Sequence, residues 1–284
     1  MMLENPLITI FTPCYNGADT IGEVAQCVNS QTFKSFEWII YNDGSTDDSD
    51  KVINDIINKY PNLDIIYLNP GINRGKHIAW NRAVEIARGE LFVCADADDP
   101  IESDSLSYLY EKWLKVKSDS KCCGVLGLVV DLDTGEPHAG RWPEEEWKTN
   151  YLEFGTKHNI DGETWGLTRT DLLKDWKFLE LYNGYMGEHY IWYGLALKGY
   201  YYCCYNHVTR HYKTNSPEGI TASRKKRRQR PQQLQISLLL TLWDLKYTSS
   251  WYFKYNKKEW FRMVFKIPYF IYYYLFKSSR EDYL

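Results

Sequence analysis

The fold is decided by one stretch of the chain, Glu90-Leu91-Phe92-Val93-Cys94-Ala95-Asp96-Ala97-Asp98-Asp99-Pro100. The apolar run Leu91 to Ala95 predicts a short, fully buried strand. Asp96, Asp98 and Asp99 follow where that strand leaves the sheet, and ligands of open α/β sheets bind just outside the carboxyl ends of the strands. Crowded carboxylates repel one another unless they share a cation, and Mg²⁺ or Mn²⁺ prefers oxygen ligands between carboxylates and substrate phosphates. The stretch therefore predicts a metal–diphosphate site, with a solvated acidic turn as the alternative.

Strands and helices alternate in the chain before this stretch. Short runs rich in β-branched and aromatic residues predict strands, and apolar residues at a 3.6-residue spacing predict helices. The predicted strands are 7–12, 36–41 and 63–68, and the predicted helices lie at about 20–31, around 52–57 and at about 78–88. Ser45 or Thr46 is expected to cap the second helix. This β-α-β-α-β-α-β order predicts a parallel sheet with right-handed crossovers.

The polar turns after the strands are expected to meet. Because the carboxyl ends of parallel strands share one edge of a sheet, we expect Tyr15, Asp43 and Asp96 to converge there. The alternative is that these are unrelated polar turns.

Composition narrows the class of protein. The chain has 284 residues, enough for one large domain or two small ones, and its net charge of −3 argues against nucleic-acid binding. Its seven cysteines include no CxxC pair, and the odd count favours a reducing compartment. Cys122-Cys123 and Cys203-Cys204 are typical of strands. We find no signal-peptide pattern at the first residues and no apolar run of the ~20 residues that span a bilayer.

Four motifs in order resemble the signature of family 2 glycosyltransferases. They are Thr12-Pro13-Cys14-Tyr15-Asn16, Asn42-Asp43-Gly44-Ser45-Thr46-Asp47, Asn73-Arg74-Gly75-Lys76 and Ala95-Asp96-Ala97-Asp98-Asp99. The resemblance is close over about residues 5–105 and looser to about 215. It implies a GT-A fold, which is an α/β, Rossmann-like, mostly parallel sheet flanked by helices. It also implies a nucleotide-sugar donor, most often a UDP-sugar, a divalent metal (Mn²⁺ or Mg²⁺), and transfer with inversion at the anomeric carbon.

The resemblance also implies the donor site. It assigns donor binding to Thr12, Pro13, Tyr15, Asp43, Lys76, Asp96 and Ala97, and metal binding to Asp98, Asp96 and, as a late third ligand, His211. Tyr15 would stack on the base and Asp43 would accept a hydrogen bond from it. Lys76 would approach the base or the diphosphate. The structural alternatives are a core tyrosine, a helix-capping aspartate, a surface lysine and a structural histidine.

Glu188 is the expected catalytic base. It precedes an apolar helix that Gly199 closes, and the helix dipole favours a carboxylate there. Inverting transfer needs a carboxylate to take the proton of the acceptor hydroxyl. Family members place this base in an acidic motif before a Trp-containing helix, often as Glu-Asp, where this chain has Glu188-His189. The alternative is a glutamate that only stabilises the helix.

The second half is expected to hold the acceptor. We expect a helix at 105–117, a strand at 124–130, a hydrated region that contains Trp142 and Trp147, and a late strand at 200–205. The resemblance makes Glu163, Trp165 and His189 candidate acceptor residues, and a buried core position is the alternative for Trp165.

The last segment combines basic and aromatic residues. The basic run 224–230 suits a solvated loop, a flap over the diphosphate or contact with anionic lipid. Helices are expected from 232 onward, and the aromatic stretch 260–277 favours interfacial anchoring, packing on the catalytic domain or a homodimer contact. We divide the chain into a catalytic domain at 1–215, with a nucleotide-sugar half at 1–105 and an acceptor half at 106–215, and a helical, aromatic-rich extension at 216–284.

The sequence thus predicts a cytoplasmic, metal-dependent, inverting glycosyltransferase, with peripheral contact at the inner face of the membrane as a further expectation. Its donor would be a UDP-sugar and its acceptor a saccharide or lipid-linked saccharide. One alternative is a nucleotidyltransferase, although the turn after the first strand lacks a Gly-rich basic loop. The other is a nucleotide-sugar-binding protein without transfer activity.

Overall fold

The computed structural model of the chain describes residues 5–158, 160, 162–180, 186–213 and 231–276. In the first half of the chain, strands and helices alternate as predicted. The strands are β1 Ile8–Cys14, β2 Phe36–Asn42, β3 Asp64–Leu68, β4 Leu91–Cys94, β5 Cys122–Asp131, β6 Glu146–Thr149, β7 Thr164–Arg169 and β8 Tyr201–Tyr212. The helices are α1 Ile21–Ser30, α2 Ser49–Lys59, α3 Lys76–Ile86, α4 Ser105–Val116, α5 Tyr151–Glu153, α6 Thr170–Asp175, α7 His189–Leu197, α8 Pro231–Tyr255 and α9 Lys257–Phe276, with a π-helical turn at Phe154–His158.

All eight described strands form one sheet in the order β3-β2-β1-β4-β7-β5-β8-β6. β1 pairs in parallel with β2 and β4, β2 pairs in parallel with β3, and β5 pairs in parallel with β8. β7 and β6 run antiparallel to their neighbours. This mostly parallel sheet, flanked by helices, confirms the predicted α/β class.

The first half folds as its apolar pattern dictates. β1 and β2 are almost wholly buried, and the predicted face of α1 (Ile21, Val24, Ala25 and Val28) is buried against them. The predicted cap of α2 is wrong. That helix begins at Ser49, whose backbone N–H donates to Asp47 Oδ1 at 3.0 Å, whereas the Ser45 hydroxyl accepts a hydrogen bond from the Asn16 N–H.

The second half departs further from expectation. β8 continues through residues expected to lie beyond a shorter strand, and β6 and β7 were not predicted. The segment expected to be hydrated contains a buried aromatic cluster, in which the rings of Trp142 and Phe154 stack at 5.4 Å and Trp147 packs beside them. Both cysteine pairs lie on strands, as predicted.

The C-terminal helices pack on the rest of the chain. From α8, Trp243 packs on Tyr190 at 5.1 Å, and the hydroxyls of Tyr252 and Tyr193 are 2.8 Å apart. α9 packs against α8 in turn. Packing on the catalytic domain was one of the alternatives for the stretch 260–277; α8 makes such contacts, and α9, which holds most of that stretch, packs on α8. No helix among the described residues is long and apolar enough to cross a bilayer. The basic run 224–230 lies outside the described residues.

Candidate active site

Loops from four strands meet at the carboxyl edge of the parallel sheet. The Asp43 N–H donates to the Cys14 carbonyl at 2.8 Å, which joins the ends of β2 and β1. A Cβ on Gly17 would lie 3.7 Å from the Cβ of Ala97, so the turns after β1 and β4 also touch. Tyr15 projects from the first of these turns and is 52% exposed. The predicted convergence of these turns is therefore observed.

The Asp43 side chain is hydrogen-bonded to the backbone of the turn that precedes α3. Its two carboxylate oxygens accept hydrogen bonds from the N–H groups of Arg74 and Gly75, each at 2.8 Å. Burial raises the pKa of Asp43, and these two hydrogen bonds partly offset that effect. Each oxygen keeps a second lone pair, so the predicted bond to a base stays a prediction.

Gly44 allows the turn after β2 to lie close to the turn before α3. Its φ of +68° is strained for other residues, and a Cβ there would lie 2.4 Å from the Asn73 nitrogen. The motifs after β2 and before α3 are thus coupled through backbone contact, which explains why a glycine is needed at this position.

Lys76 joins two carboxylates that lie far apart in the chain. Its ammonium is 2.7 Å from Asp96 Oδ1 and 2.9 Å from Glu188 Oε1. Burial alone would lower the pKa of Lys76, but Asp96 and Glu188 together raise it above its ordinary value. Lys76 therefore stays charged and positions Glu188 beside the end of β4.

Arg210 is the second cation at this edge. Its guanidinium donates to Asp99 and lies 3.3 Å from Asp96 Oδ2. Burial acts to raise the pKa of Asp96, but Lys76 and Arg210 outweigh it and lower that pKa to about 2. Asp96 and Asp99 are thus partnered by the protein itself.

Asp98 differs from its neighbours. No side chain in the described ranges donates a hydrogen bond to its carboxylate. Burial, followed by repulsion from Asp99 and Asp96, raises its pKa to about 6. A carboxylate with spare lone pairs and uncompensated charge is suited to bind a cation.

The residues present fit a metal that is shared with a substrate. In the described part of the chain, no three His, Cys, Asp or Glu side chains surround one point that could hold a metal ion. The predicted trio of Asp96, Asp98 and His211 is therefore not assembled. His211 instead bonds Glu102 through Nε2 at 2.6 Å. Asp98 stays a predicted ligand, with Asp96 beside it, and a diphosphate would have to supply the other oxygens.

Three residues predicted to contact the donor or the acceptor are buried or half-buried. Thr12 is fully buried and its hydroxyl accepts a hydrogen bond from Trp38 Nε1 at 2.9 Å, so its side chain has no surface for a nucleoside. Pro13, beside it, is half-buried. Trp165 is in the core with its Nε1 bonded to the Cys94 carbonyl, which removes it as a stacking surface for a sugar.

The other two acceptor candidates, Glu163 and His189, have different surroundings. Glu163 is half-buried within range of the charges of Arg210, Glu188 and Asp96. His189 faces α8, where its Nε2 is 3.6 Å from Asp244 Oδ2. Glu188 itself directly precedes α7, as predicted, and its side chain turns to Lys76 instead of capping that helix.

Sequence reasoning missed Arg210 and the ion pair of Lys76 with Glu188. Arg210 stands next to His211, the residue that was selected from the same strand. Its partner Asp99 is 111 positions away in the chain, and no local pattern links residues at such a separation.

A family model provides an independent comparison. The model described as "Glycosyl transferase family 2" matches residues 9–176, more than half of the chain. The chain belongs to glycosyl transferase family 2. This membership confirms the predicted family and the predicted class of enzyme, a glycosyltransferase.

Two curated relatives of this family 2 chain are longer than it is. It is 27% identical over 203 residues to "Uncharacterized glycosyltransferase YibD" of Escherichia coli K12, covering 69% of this chain and 49% of that protein. It is 34% identical over 120 residues to a Staphylococcus aureus poly-beta-1,6-N-acetyl-D-glucosamine synthase, covering 42% of this chain and 28% of the synthase. The chain thus spans half or less of the length of these relatives.

Solved structures share the fold of this family 2 chain. S. aureus TarS in complex with UDP-GlcNAc aligns with a TM-score of 0.61 at 17% identity, covering 93% of this chain and 72% of that one. The mannosyltransferase PcManGT of Pyrobaculum calidifontis, in complex with GDP-Man and Mn²⁺, aligns with a TM-score of 0.57 at 20% identity, covering 82% and 63%. At these identities the likeness supports the GT-A fold alone.

Proposed function

We propose that the protein transfers a sugar, with inversion, from a UDP-sugar to a saccharide or lipid-linked saccharide, with Glu188 as the general base. One observation carries the proposal: Lys76 holds Asp96, at the end of β4, and Glu188, before α7, within 3 Å of one ammonium. Donor motifs and candidate base therefore meet at one edge of the sheet.

The charge at this edge favours metal assistance. Four carboxylates (Asp96, Asp98, Asp99 and Glu188) face two cations (Lys76 and Arg210) among the described residues. A diphosphate would be repelled by the remaining negative charge unless a cation were shared. A metal held by Asp98, with Asp96 beside it, would offset the charge that develops on the leaving diphosphate.

Glu188 suits the base because it is both fixed and accessible. Its side chain is 36% exposed while one oxygen is paired with Lys76. The second oxygen can accept the proton of an acceptor hydroxyl. A half-buried Glu163 near the same charges can bind another acceptor hydroxyl.

The named neighbours guide the choice of donor. TarS is described with UDP-GlcNAc, and the staphylococcal synthase makes a polymer of N-acetylglucosamine. Both support a UDP-sugar, and UDP-GlcNAc is the first candidate. PcManGT is described with GDP-Man, so a GDP-sugar is the main competitor.

We further propose residues 1–215 as the catalytic domain and 216–284 as its extension. Among the described residues, the last strand of the eight-stranded sheet ends at Tyr212, which supports this division. We propose a cytoplasmic location with peripheral membrane contact through the extension. The location is supported by the seven cysteines, all of which carry free thiols.

Turnover of candidate donors tests the proposal. UDP release would be measured with UDP-GlcNAc and a panel of saccharide acceptors, with Mn²⁺ or with a chelator, and GDP-Man would serve as the competing donor. We expect UDP release that needs both acceptor and metal, and a product of inverted anomeric configuration. Tight UDP-sugar binding without turnover on any acceptor would instead support the binding protein, and pyrophosphate release from UTP and a sugar phosphate would support the nucleotidyltransferase.

A further inference from the structure

The outward face of α9 carries a stripe of exposed aromatic residues. Phe261, Phe265, Tyr269 and Tyr272 are 49%, 72%, 54% and 56% exposed. Their spacing of four, four and three positions places them on one side of the helix. The opposite side, which includes the buried Met263, packs against α8. Large aromatic side chains exposed in a row are uncommon on a surface that faces only water.

A row of cations runs beside this aromatic stripe. Lys258, Arg262 and Lys266 are spaced four positions apart, so they form a parallel row on the same helix. The one acid in α9, Glu259, lies 3.3 Å from Arg262 and 3.9 Å from Lys266, and its side chain is only 32% exposed. The surface is therefore aromatic and basic.

We propose that this face of α9 lies on an anionic lipid bilayer, with the aromatic stripe in the headgroup region and the basic row against lipid phosphates. A helix with one aromatic and one cationic side suits an interface between water and lipid, where Phe and Tyr are buried only in part. Like the other described helices, α9 is not long and apolar enough to cross a bilayer, so in this proposal the helix lies along the membrane surface. The inference rests on the membrane contact proposed above and gives it a defined surface.

A second copy of the chain fits this face less well. In a two-fold dimer the same patch meets itself, so the two rows of Lys258, Arg262 and Lys266 would approach each other. Such an approach costs energy because like charges repel. An anionic lipid surface attracts every member of the row instead, by an amount that falls with added salt.

Vesicle sedimentation tests the proposal with the full chain. We expect the protein to sediment with vesicles of phosphatidylcholine and phosphatidylglycerol, and much less with phosphatidylcholine alone. The double variant F261S/F265S should lower the partition coefficient at least tenfold, roughly the effect of removing two partly buried aromatic rings. Leu114→Ser, a change of a 48% exposed apolar residue on α4, is the matched control and should leave binding unaltered.

A variant of the basic row tests the proposal independently of the aromatic variant. K258Q/R262Q/K266Q should also lower binding at least about tenfold and should remove most of its dependence on salt. Equal binding to neutral and anionic vesicles, or full binding by either variant, would overturn the proposal. It would also be overturned if F261S/F265S abolished a dimer seen by light scattering while the wild type ignored vesicles.

Transfer to a soluble saccharide, measured without vesicles, separates this inference from the proposed reaction. We expect all three variants to keep wild-type transfer rates there. Normal transfer together with absent vesicle binding would remove the membrane face and leave the proposed reaction standing.

Discussion

The two ends of the parallel strands both carry ion pairs, and they are built differently. At the amino ends, Arg88 donates to Glu37 at 2.7 Å through Nε and to Asp64 at 2.7 Å through Nη2. Thr9 and the Arg88 N–H donate to the other oxygen of Glu37, each at 2.6 Å. Glu37 is fully buried, and every oxygen it presents is bonded. We call Glu37, Asp64, Arg88 and Thr9 the amino-end cluster.

At the carboxyl ends, the cations are shared and one acid is left over. Lys76 divides its charge between Asp96 and Glu188, while Asp98 has no side-chain donor among the described residues. Comparing the two clusters shows how an ion-pair cluster that supports the fold differs from one that is a candidate binding site. Where buried acids share one arginine, as Glu37 and Asp64 share Arg88, the charges join strands. Where lone pairs and negative charge remain, the cluster can bind a ligand.

Arg88→Met should have the largest effect on stability. The change leaves Glu37 and Asp64 buried without their cation, so we expect the free energy of unfolding to fall by about 3 kcal/mol, measured by urea denaturation. Arg82→Met is the matched control. Arg82 lies on α3, six positions before Arg88, and its side chain is 45% exposed in ion pairs with Glu85 and Glu180, so its loss should cost no more than about 0.5 kcal/mol. Equal effects would mean that the amino-end cluster does not support the fold.

Glu188→Gln should have the largest effect on transfer. The amide is isosteric but cannot accept the proton, so we expect the transfer rate to fall about 10²-fold or more with unaltered UDP-sugar affinity. Isothermal titration and a UDP-release assay measure the two quantities. His189→Ala is the comparison. If it removes transfer and Glu188→Gln does not, the assignment of the base is wrong.

Asp98→Asn should weaken nucleotide binding that depends on metal. The amide loses the charge that attracts a cation, so the affinity for UDP in Mn²⁺ should fall at least about tenfold, while the fold stays intact. Asp133→Asn, on the exposed turn after β5, is the control. Unaltered titration heat for Asp98→Asn would count against the metal site.

Glu163→Gln should raise the stability of the protein slightly, whereas Arg88→Met lowers it. Burial raises the pKa of Glu163 in the folded protein. The folded protein therefore favours the protonated form of Glu163. The stability that this preference contributes is fully present below the pKa that Glu163 has in the unfolded chain. It is lost as the pH rises through the pKa that Glu163 has in the folded protein. The variant should gain under about 1 kcal/mol at neutral pH and nothing in acid. Glu111→Gln, on the surface of α4, should show no such pH dependence, and a gain independent of pH would contradict the explanation.

The first half of the fold was predictable because its signals are local. β1 and β4 are uncharged runs, β2 is apolar and aromatic apart from Glu37, and all three end in polar turns, so strand identity, sheet class and the shared edge follow from the pattern. β6 was missed because Glu-Trp-Lys-Thr is short and its burial comes from β8 and an aromatic cluster. Arg210 and the ion pair of Lys76 were missed because they depend on contacts between distant residues.

The bridge from Lys76 to Asp96 and Glu188 has a consequence for biosynthesis. Asp96 leaves the ribosome well before Glu188, so a nascent or truncated chain has the donor motifs and lacks the group that would accept the proton. We expect such a product, if it folds, to sequester nucleotide-sugar without consuming it, and to leave Lys76 with one anionic neighbour fewer. Completion of the enzyme therefore awaits synthesis of its second half.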